Sequence, residues 1–286
     1  MKPLRPRTLA DALAARAAHP EAVPVAGGTD LMVAVNFGRA HPELLLDLSL
    51  LDELKGWRRE NGSLVIGAAA TFAELADGAE ICRPLREAAR SVGSPQIRNR
   101  ATIGGNVATA SPAGDSIPVL AACGGQVLLA AHDRERRVPW REFFVGPKAT
   151  SLAADELVVG VELPVVDGPG SFAKVGTRNA MVISIAGLCL QLDARARTVA
   201  LALGSVAPTV VRAPEAESFA AGIVDWDDPG RPVEQSAAIE FGRLAASAAR
   251  PIDDVRGSAA YRRHAVDVLA RRMLSWALAD REAGPW

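Results

Sequence analysis

Two short stretches have the composition of anion-binding main chain: AGGTD at 26–30 and TIGGN at 102–106. Adjacent glycines permit positive φ and remove the Cβ atoms that keep a ligand off the peptide N–H groups. Consecutive N–H groups in such a turn can point into one concavity that suits phosphate oxygens. Thr29 and Thr102 add hydroxyl donors, and Asn106 can cap the turn or reach a ligand. Neither stretch reads GxxxxGK[ST], so no lysine is placed for a β- or γ-phosphate, and neither completes GxGxxG. Two such turns far apart in sequence instead predict a long ligand gripped from both sides, such as a dinucleotide with its pyrophosphate between them. Asp115, closing ATASPAGD, is open to two readings: an acceptor for ribose hydroxyls or an adenine amine, or the N-cap of a helix starting at Ser116.

The remaining composition excludes several kinds of chemistry. Thirty-two Lys+Arg nearly cancel thirty-three Asp+Glu, so no basic field points to nucleic acid. The arginine cluster Arg134, Arg136 and Arg137 reads as a solvated turn. Cys82, Cys123 and Cys189 lie far apart without CxxC spacing, and the four histidines are equally dispersed. No metal site is therefore expected in this chain. No Ser/His/Asp set or carboxylate pair stands out, and no catalytic acid, base or nucleophile is nominated. MKPLRPRTLADAL lacks an apolar core of signal-peptide length, and no transmembrane run follows, so a cytoplasmic location is expected.

The elements that must position the two turns are legible in outline. Residues 8–18 predict an amphipathic helix capped by Thr8 with Asp11 three residues on. VPV predicts a strand, LMVAVN continues its apolar run, and ELLLDL (43–48) and SLVIGA (63–68) are further strands. Thr71 and Glu74 form a capping box ahead of a helix, and 82–92 has helical spacing. SIPVLAAC predicts a short helix, QVLLAAHDRERRVPW a hairpin, and ELVVGVEL (156–163) a strand. VVDGPGS (165–171) has the composition of a linker. Beyond it SFAKVG, GLCLQLD and VALALGSV predict an antiparallel sheet, followed by helices over roughly 234–249 and 258–281. In the last helix Tyr261, Ala265, Val268, Leu269, Met273 and Trp276 form the predicted core stripe, with Arg262, Arg263, Arg271 and Arg272 facing away.

Taken together, VAGGTDL, QIRNRATIGGNVATASPAGDSIPVLAA, DELVVGVELP, FAKVGTRNAMVIS, GSVAPTVVRAPEAE and AYRRHAVDVLARRML resemble the flavin-binding medium subunits of molybdenum hydroxylases, such as those of carbon monoxide dehydrogenase and xanthine dehydrogenase-type enzymes. The resemblance covers nearly the whole chain. It implies an α+β fold: a two-subdomain FAD-binding domain of the vanillyl-alcohol-oxidase or PCMH type at 1–168 (subdomains about 1–55 and 56–168), then a smaller α+β domain at 169–286 with an antiparallel sheet and helices. It also implies non-covalent FAD, with contacts from Val25, Ala26, Gly27, Gly28, Thr29, Asp30 and Leu31, and from Thr102, Ile103, Gly104, Gly105, Asn106, Thr109 and Ser111. By the same resemblance Asp115 falls at the ADP side, Lys174 approaches the isoalloxazine, and Leu157 completes the set. The implied function is electron transfer: from a molybdopterin-binding large subunit, through the 2Fe-2S clusters of a small subunit, to FAD here and on to an acceptor such as NAD or oxygen. The implied assembly is a dimer of heterotrimers.

One departure stands out: the family's R-x-A-x-D-I-A run reads RNAMVIS here, with Val182 at the aspartate position, where it could simply fill apolar space. The alternative activity is a stand-alone FAD-dependent reductase or oxidase of similar fold, which would need its own proton donor. A scaffold that has lost its flavin is a third reading.

Overall fold

The computed structural model describes residues 1–283, so the last three residues of the predicted C-terminal span lie outside the described part. The chain opens with β1 (Lys2–Leu4), α1 (Leu9–Ala18), β2 (Val23–Val25), α2 (Leu31–Asn36) and β3 (Leu44–Asp47). Their strands form a parallel sheet in the order β1-β3-β2. Thr8 caps α1 as its sequence predicts, accepting from the Asp11 N–H at 3.1 Å. LMVAVN, read as a continued apolar run, is instead the short helix α2, and none of its residues is buried. The run lacks the two-residue alternation of a half-buried strand, and Gly28 at φ 73° turns the chain before it.

A 3₁₀ turn at Asp52–Leu54 leads into the second group of elements. These are β4 (Trp57–Glu60), β5 (Ser63–Gly67), α3 (Phe72–Asp77), α4 (Arg83–Ser91), α5 (Pro95–Arg98), α6 (Ile103–Thr109), α7 (Ser116–Ala122), β6 (Gln126–Ala130), β7 (Glu135–Pro139), α8 (Trp140–Phe143), β8 (Phe144–Gly146), β9 (Ala149–Thr150) and β10 (Leu157–Pro164). An antiparallel sheet of order β4-β5-β10-β6-β7 is covered by α3, α4, α6 and α7, while β8 and β9 form a separate hairpin. Thr71 and Glu74 make the full capping box on α3. Arg136 and Arg137 are on β7 rather than in the turn. Arg136 makes a two-pronged pair with the buried Glu156, 2.7 Å on each arm, and holds that carboxyl below the usual range.

The third group is β11 (Gly170–Val175), β12 (Ala186–Asp193), β13 (Thr198–Gly204), β14 (Val211–Arg212), α9 (Pro214–Ile223), α10 (Gln235–Ala248) and α11 (Ala259–Ala283). The strands form one antiparallel sheet in sequence order. Its strands are apolar at consecutive positions because both faces are covered. Leu188, Leu190, Leu192, Leu201 and Leu203 face α9, α10 and α11, whereas Phe172, Cys189 and Ala202 join the core formed with α4 and α7.

The stripe on α11 is rotated from its predicted phase. Ala265, Leu269 and Met273 are buried as expected, joined by Val266, Leu274 and Ala277, while Tyr261 and Trp276 are nearly half exposed. Arg262, predicted to face away, is buried. Its guanidinium donates to the Ile185 carbonyl at 2.6 Å, the Ser205 carbonyl at 2.8 Å and Asp254 at 2.7 Å.

Candidate functional site

The first glycine stretch packs on the two residues that lead into the second. β2 ends at Val25, and the Leu48 N–H donates to the Val25 carbonyl at 2.8 Å, fixing where the chain leaves the sheet. At the next turn Gly27 lies so close to the main chain at Arg100 that a Cβ would overlap the Arg100 carbonyl oxygen. The N–H groups of Gly27, Gly28, Thr29, Asp30 and Leu31 find no acceptor among the described residues. Asp30 occupies the N-cap position of α2, yet its side chain caps nothing. A run of partly exposed donors without protein acceptors is available to a ligand, and it matches what an anionic oxygen cluster offers.

TIGGN is built differently from the turn its composition predicts. It is the N-cap and first turn of α6, and its donors are already engaged. Ile103 N–H donates to the Ala70 carbonyl (3.0 Å), Gly104 N–H to Ala68 (2.9 Å) and Asn106 N–H to Thr102 (3.0 Å). Gly105 N–H donates to the Thr102 hydroxyl at 3.1 Å. The expected second nest of N–H groups is therefore absent, because a helix capped by its own threonine and docked on β5 consumes them. Gly104 is needed for that docking: a Cβ there would fall 2.5 Å from Ala68 Cβ. Gly105 is exposed, and a Cβ would meet only the Thr102 hydroxyl, at 3.1 Å. Asn106 accepts from the Ser116 hydroxyl at 2.7 Å, tying α6 to α7.

Downstream, Thr109 and Ser111 are half-buried. The chain leaving α6 is pinned by Ala110 in the left-handed region (φ 47°) and by bonds from Lys148 N–H to the Ala110 carbonyl and from Ser205 N–H to the Pro112 carbonyl. Asp115 occupies the N-cap position of α7 but makes no cap bond. Its carboxylate accepts from the Lys174 ammonium at 2.6 Å and the Ser184 hydroxyl at 2.7 Å, with the Ser91 hydroxyl at 3.3 Å. Burial pushes this carboxyl above the usual aspartate range, against the opposing pull of Lys174, Ser184 and Ser91. Asp115 and Lys174 thus turn on each other and cannot mark opposite ends of one ligand. Leu157, on β10, packs its side chain inside a core with Ala12, Leu46 and Leu54, because the strand's inward face closes the first sheet against the second.

At 182, where the resemblance implies an aspartate, the side chain packs instead. Val182 lies against Gly176, and its carbonyl accepts from Lys174 at 3.3 Å. Sequence reasoning passes over Arg100, Ser91 and Ser184. Arg100 acts through its main chain, which no side-chain pattern reports, and an isolated serine has no spacing signature.

The site is a run of free main-chain donors at 27–31 packed against the main chain of Arg100 and Ala101, which lead into the cap of α6. No group of three or more His, Cys, Asp or Glu side chains able to hold a metal occurs among the described residues. Such a run of donors suits phosphate oxygens held by backbone rather than by charge. The comparisons name the cofactor. Residues 1–166 match the model of the FAD binding domain in molybdopterin dehydrogenase, and residues 171–277 match that of the CO dehydrogenase flavoprotein C-terminal domain. The chain belongs to this family of FAD-binding oxidoreductase subunits.

Over 96% of its length it is 31% identical to the xanthine dehydrogenase FAD-binding subunit of Escherichia coli O157:H7, covering 95% of that protein. It is 34% identical to the nicotinate dehydrogenase FAD-subunit of Eubacterium barkeri across 64% of this chain and 65% of that one. The solved carbon monoxide dehydrogenase of Hydrogenophaga pseudoflava superposes with a TM-score of 0.85 at 28% identity, covering 97% of this chain and 98% of that one. No helix among the described residues is long and apolar enough to cross a membrane.

Proposed function

We propose that this chain is the electron-transfer subunit of a molybdenum hydroxylase complex in the cytoplasm. In this reading electrons arrive from the 2Fe-2S clusters of a small partner subunit, which are fed by a large molybdopterin-binding subunit, and leave to an external acceptor such as NAD or oxygen. The assembly is a dimer of heterotrimers, with the chain divided at 168/169 into a flavin domain and a C-terminal domain, and the former again near residue 55.

The observation that carries the cofactor part is the row of N–H groups from Gly27 to Leu31 without a protein acceptor, packed against the main chain of Arg100 just before α6. These donors fit a pyrophosphate, which supplies acceptors without requiring a lysine at the phosphates. Bound FAD would supply reversible electron storage between a two-electron and a one-electron partner. This chain's residues then divide by task. Val25 and Ala26 set the departure from the sheet. Gly27 to Leu31 donate, and Gly105 leaves room. Thr102, Asn106, Thr109 and Ser111 offer hydroxyl and amide groups along the same edge, and Ile103 and Gly104 seat the helix. Asp115 and Lys174 support the edge from behind, and Leu157 supports it from within the core. No proton donor is required of the chain in this role.

The test is a native purification with a visible spectrum and analysis of flavin, iron and molybdenum. The expected result is flavin in the chain, iron and molybdenum in co-purifying partners, and flavin reduction by the hydroxylated substrate only when those partners are present. A chain without FAD, or one that alone turns over a small substrate, overturns the proposal.

A further inference from the structure

The two regions matched by the family models are joined by an ion pair that neither contains whole. Asp115 lies in the first and Lys174 in the second, and their side chains are only 9% and 11% exposed. Every other ion pair among the described residues has at least one partner more open to solvent. The Lys174 ammonium has an acceptor for each of its protons: Asp115 at 2.6 Å, the Ser91 carbonyl at 2.8 Å and the Val182 carbonyl at 3.3 Å. Ser184, at the end of the loop joining β11 to β12, donates to the other carboxylate oxygen at 2.7 Å.

Removing both charges from water costs solvation that their attraction returns only in part. The upward push on the Asp115 carboxyl has that origin. The pair therefore contributes little to stability, and its position is what calls for a reason. On one side, Asp115 adjoins Ser116, whose hydroxyl holds Asn106 on α6. The turn between α5 and α6 carries the Arg100 carbonyl that packs on Gly27, inside the run of free donors. On the other side, Lys174 and Ser184 bracket the connection between β11 and β12. A short series of contacts thus links the C-terminal sheet to the cradle.

We propose that the Asp115–Lys174 pair, with Ser184, is a latch through which the C-terminal sheet holds the FAD cradle in its binding geometry. FAD binding and the docking of β11 and β12 are then thermodynamically coupled. The proposal rests on 27–31 and 102–106 being the FAD site. Coupling between two equilibria is reciprocal: if the docked sheet strengthens FAD binding, FAD must protect the sheet.

The experiment is FAD titration of the full chain, followed by flavin fluorescence and by hydrogen exchange with mass spectrometry. In the wild type, FAD raises protection at 26–31 and also at 170–175 and 186–193. In the D115N/K174M double variant no charge is left unpaired, so the apo-protein keeps its melting temperature or gains a few degrees. There the FAD dissociation constant rises about tenfold, within the usual range of coupling. FAD-dependent protection of β11 and β12 disappears in that variant while that of 26–31 persists. Ser184→Ala keeps both charges, folds independently of the double variant's fate, and shows the same loss in smaller measure. Wild-type protection of β12 by FAD in these variants would mean that the sheet senses FAD without the pair, and it overturns the latch. So does an unchanged dissociation constant in both. If FAD protects neither 26–31 nor 102–106 in the wild type, the site assignment falls first, and that outcome is distinct from a latch that fails.

Discussion

At the scale of single residues, the proposed site has glycines that admit the chain and glycines expected to admit a ligand. Gly104 belongs to the first kind. Its Cα faces the main chain of Ala68, so Gly104→Ala inserts a methyl group 2.5 Å from Ala68 Cβ and 2.7 Å from its carbonyl oxygen. Overpacking of this sort costs about 1–3 kcal/mol, and a lower melting temperature with or without FAD is the expected result. Gly105 is the proposed member of the second kind: it is exposed, and only the Thr102 hydroxyl, at 3.1 Å, lies near where its Cβ would be. Gly105→Val should leave the apo-protein's circular dichroism and melting temperature nearly unchanged while the flavin-to-protein absorbance ratio falls below about a tenth of the wild-type value, as expected when a side chain fills the approach of a ligand to bare backbone. Full flavin occupancy in that variant would return 102–106 to a purely structural role. The sequence displays both residues as one GG pair and cannot tell them apart, because the difference is set by Ala68, which belongs to another strand's end. The same limit hides the partnership of Asp115 with Lys174: nothing local to either residue announces a partner on a distant strand.

At the scale of elements, periodicity and caps carry most of what can be read in advance. The capping box at Thr71 and Glu74 is a local rule, and the structure obeys it. Thr71 also bridges to Thr102, the cap of α6, so this local rule sits beside the site. Thr71→Ala should cost about 1 kcal/mol, the ordinary loss of a helix cap, and should lower the melting temperature without abolishing FAD binding. Phase is less legible than helicity. The turn-by-turn spacing of α11 is right, but its buried stripe is set by two partners, the sheet and α10, and these take Arg262 inward and leave Tyr261 and Trp276 outside.

The inward arginine makes the corner before α11 sensitive to acid. Asp254 is held down to about 2, below its ordinary 3.8, chiefly by the Arg256 main-chain N–H and then by the Arg262 guanidinium. A carboxyl with a lowered folded value adds stability above its unfolded value and loses it as pH falls through the folded one. The melting temperature should therefore fall between about pH 4 and pH 2 more steeply in the wild type than in Asp254→Asn, as measured by circular dichroism at stepped pH. Equal slopes would show that the corner plays no part in acid unfolding.

At the scale of the whole molecule, the chain's punctuation and its packing disagree. VVDGPGS reads as a linker, and the strands on either side of it belong to different sheets. Yet Phe172, Cys189, Ala202 and Val210, all beyond the linker, share one core with Leu64, Leu85, Val119 and Val161 before it. Proline and glycine density reports where the backbone can turn freely; it is silent on which surfaces are apolar once the elements are placed. Further bonds cross the same boundary: Phe172 N–H to Glu87 at 2.7 Å and Arg212 to the Ala121 carbonyl at 3.2 Å. An interface of this kind resembles the interior of one domain rather than a contact between mobile ones, and it should not come apart on its own. Cutting the chain within 165–170 is therefore expected to leave the two fragments associated through size-exclusion chromatography, with a single cooperative melting transition. Expressed without its C-terminal part, 1–168 should expose the apolar faces of α4 and α7, bind an apolar dye and aggregate. A monodisperse, FAD-loaded 1–168 fragment would instead mean that the flavin module is complete by itself. The shared core would then be an interface between two finished domains, and the C-terminal sheet would be free to serve some purpose other than holding the cradle.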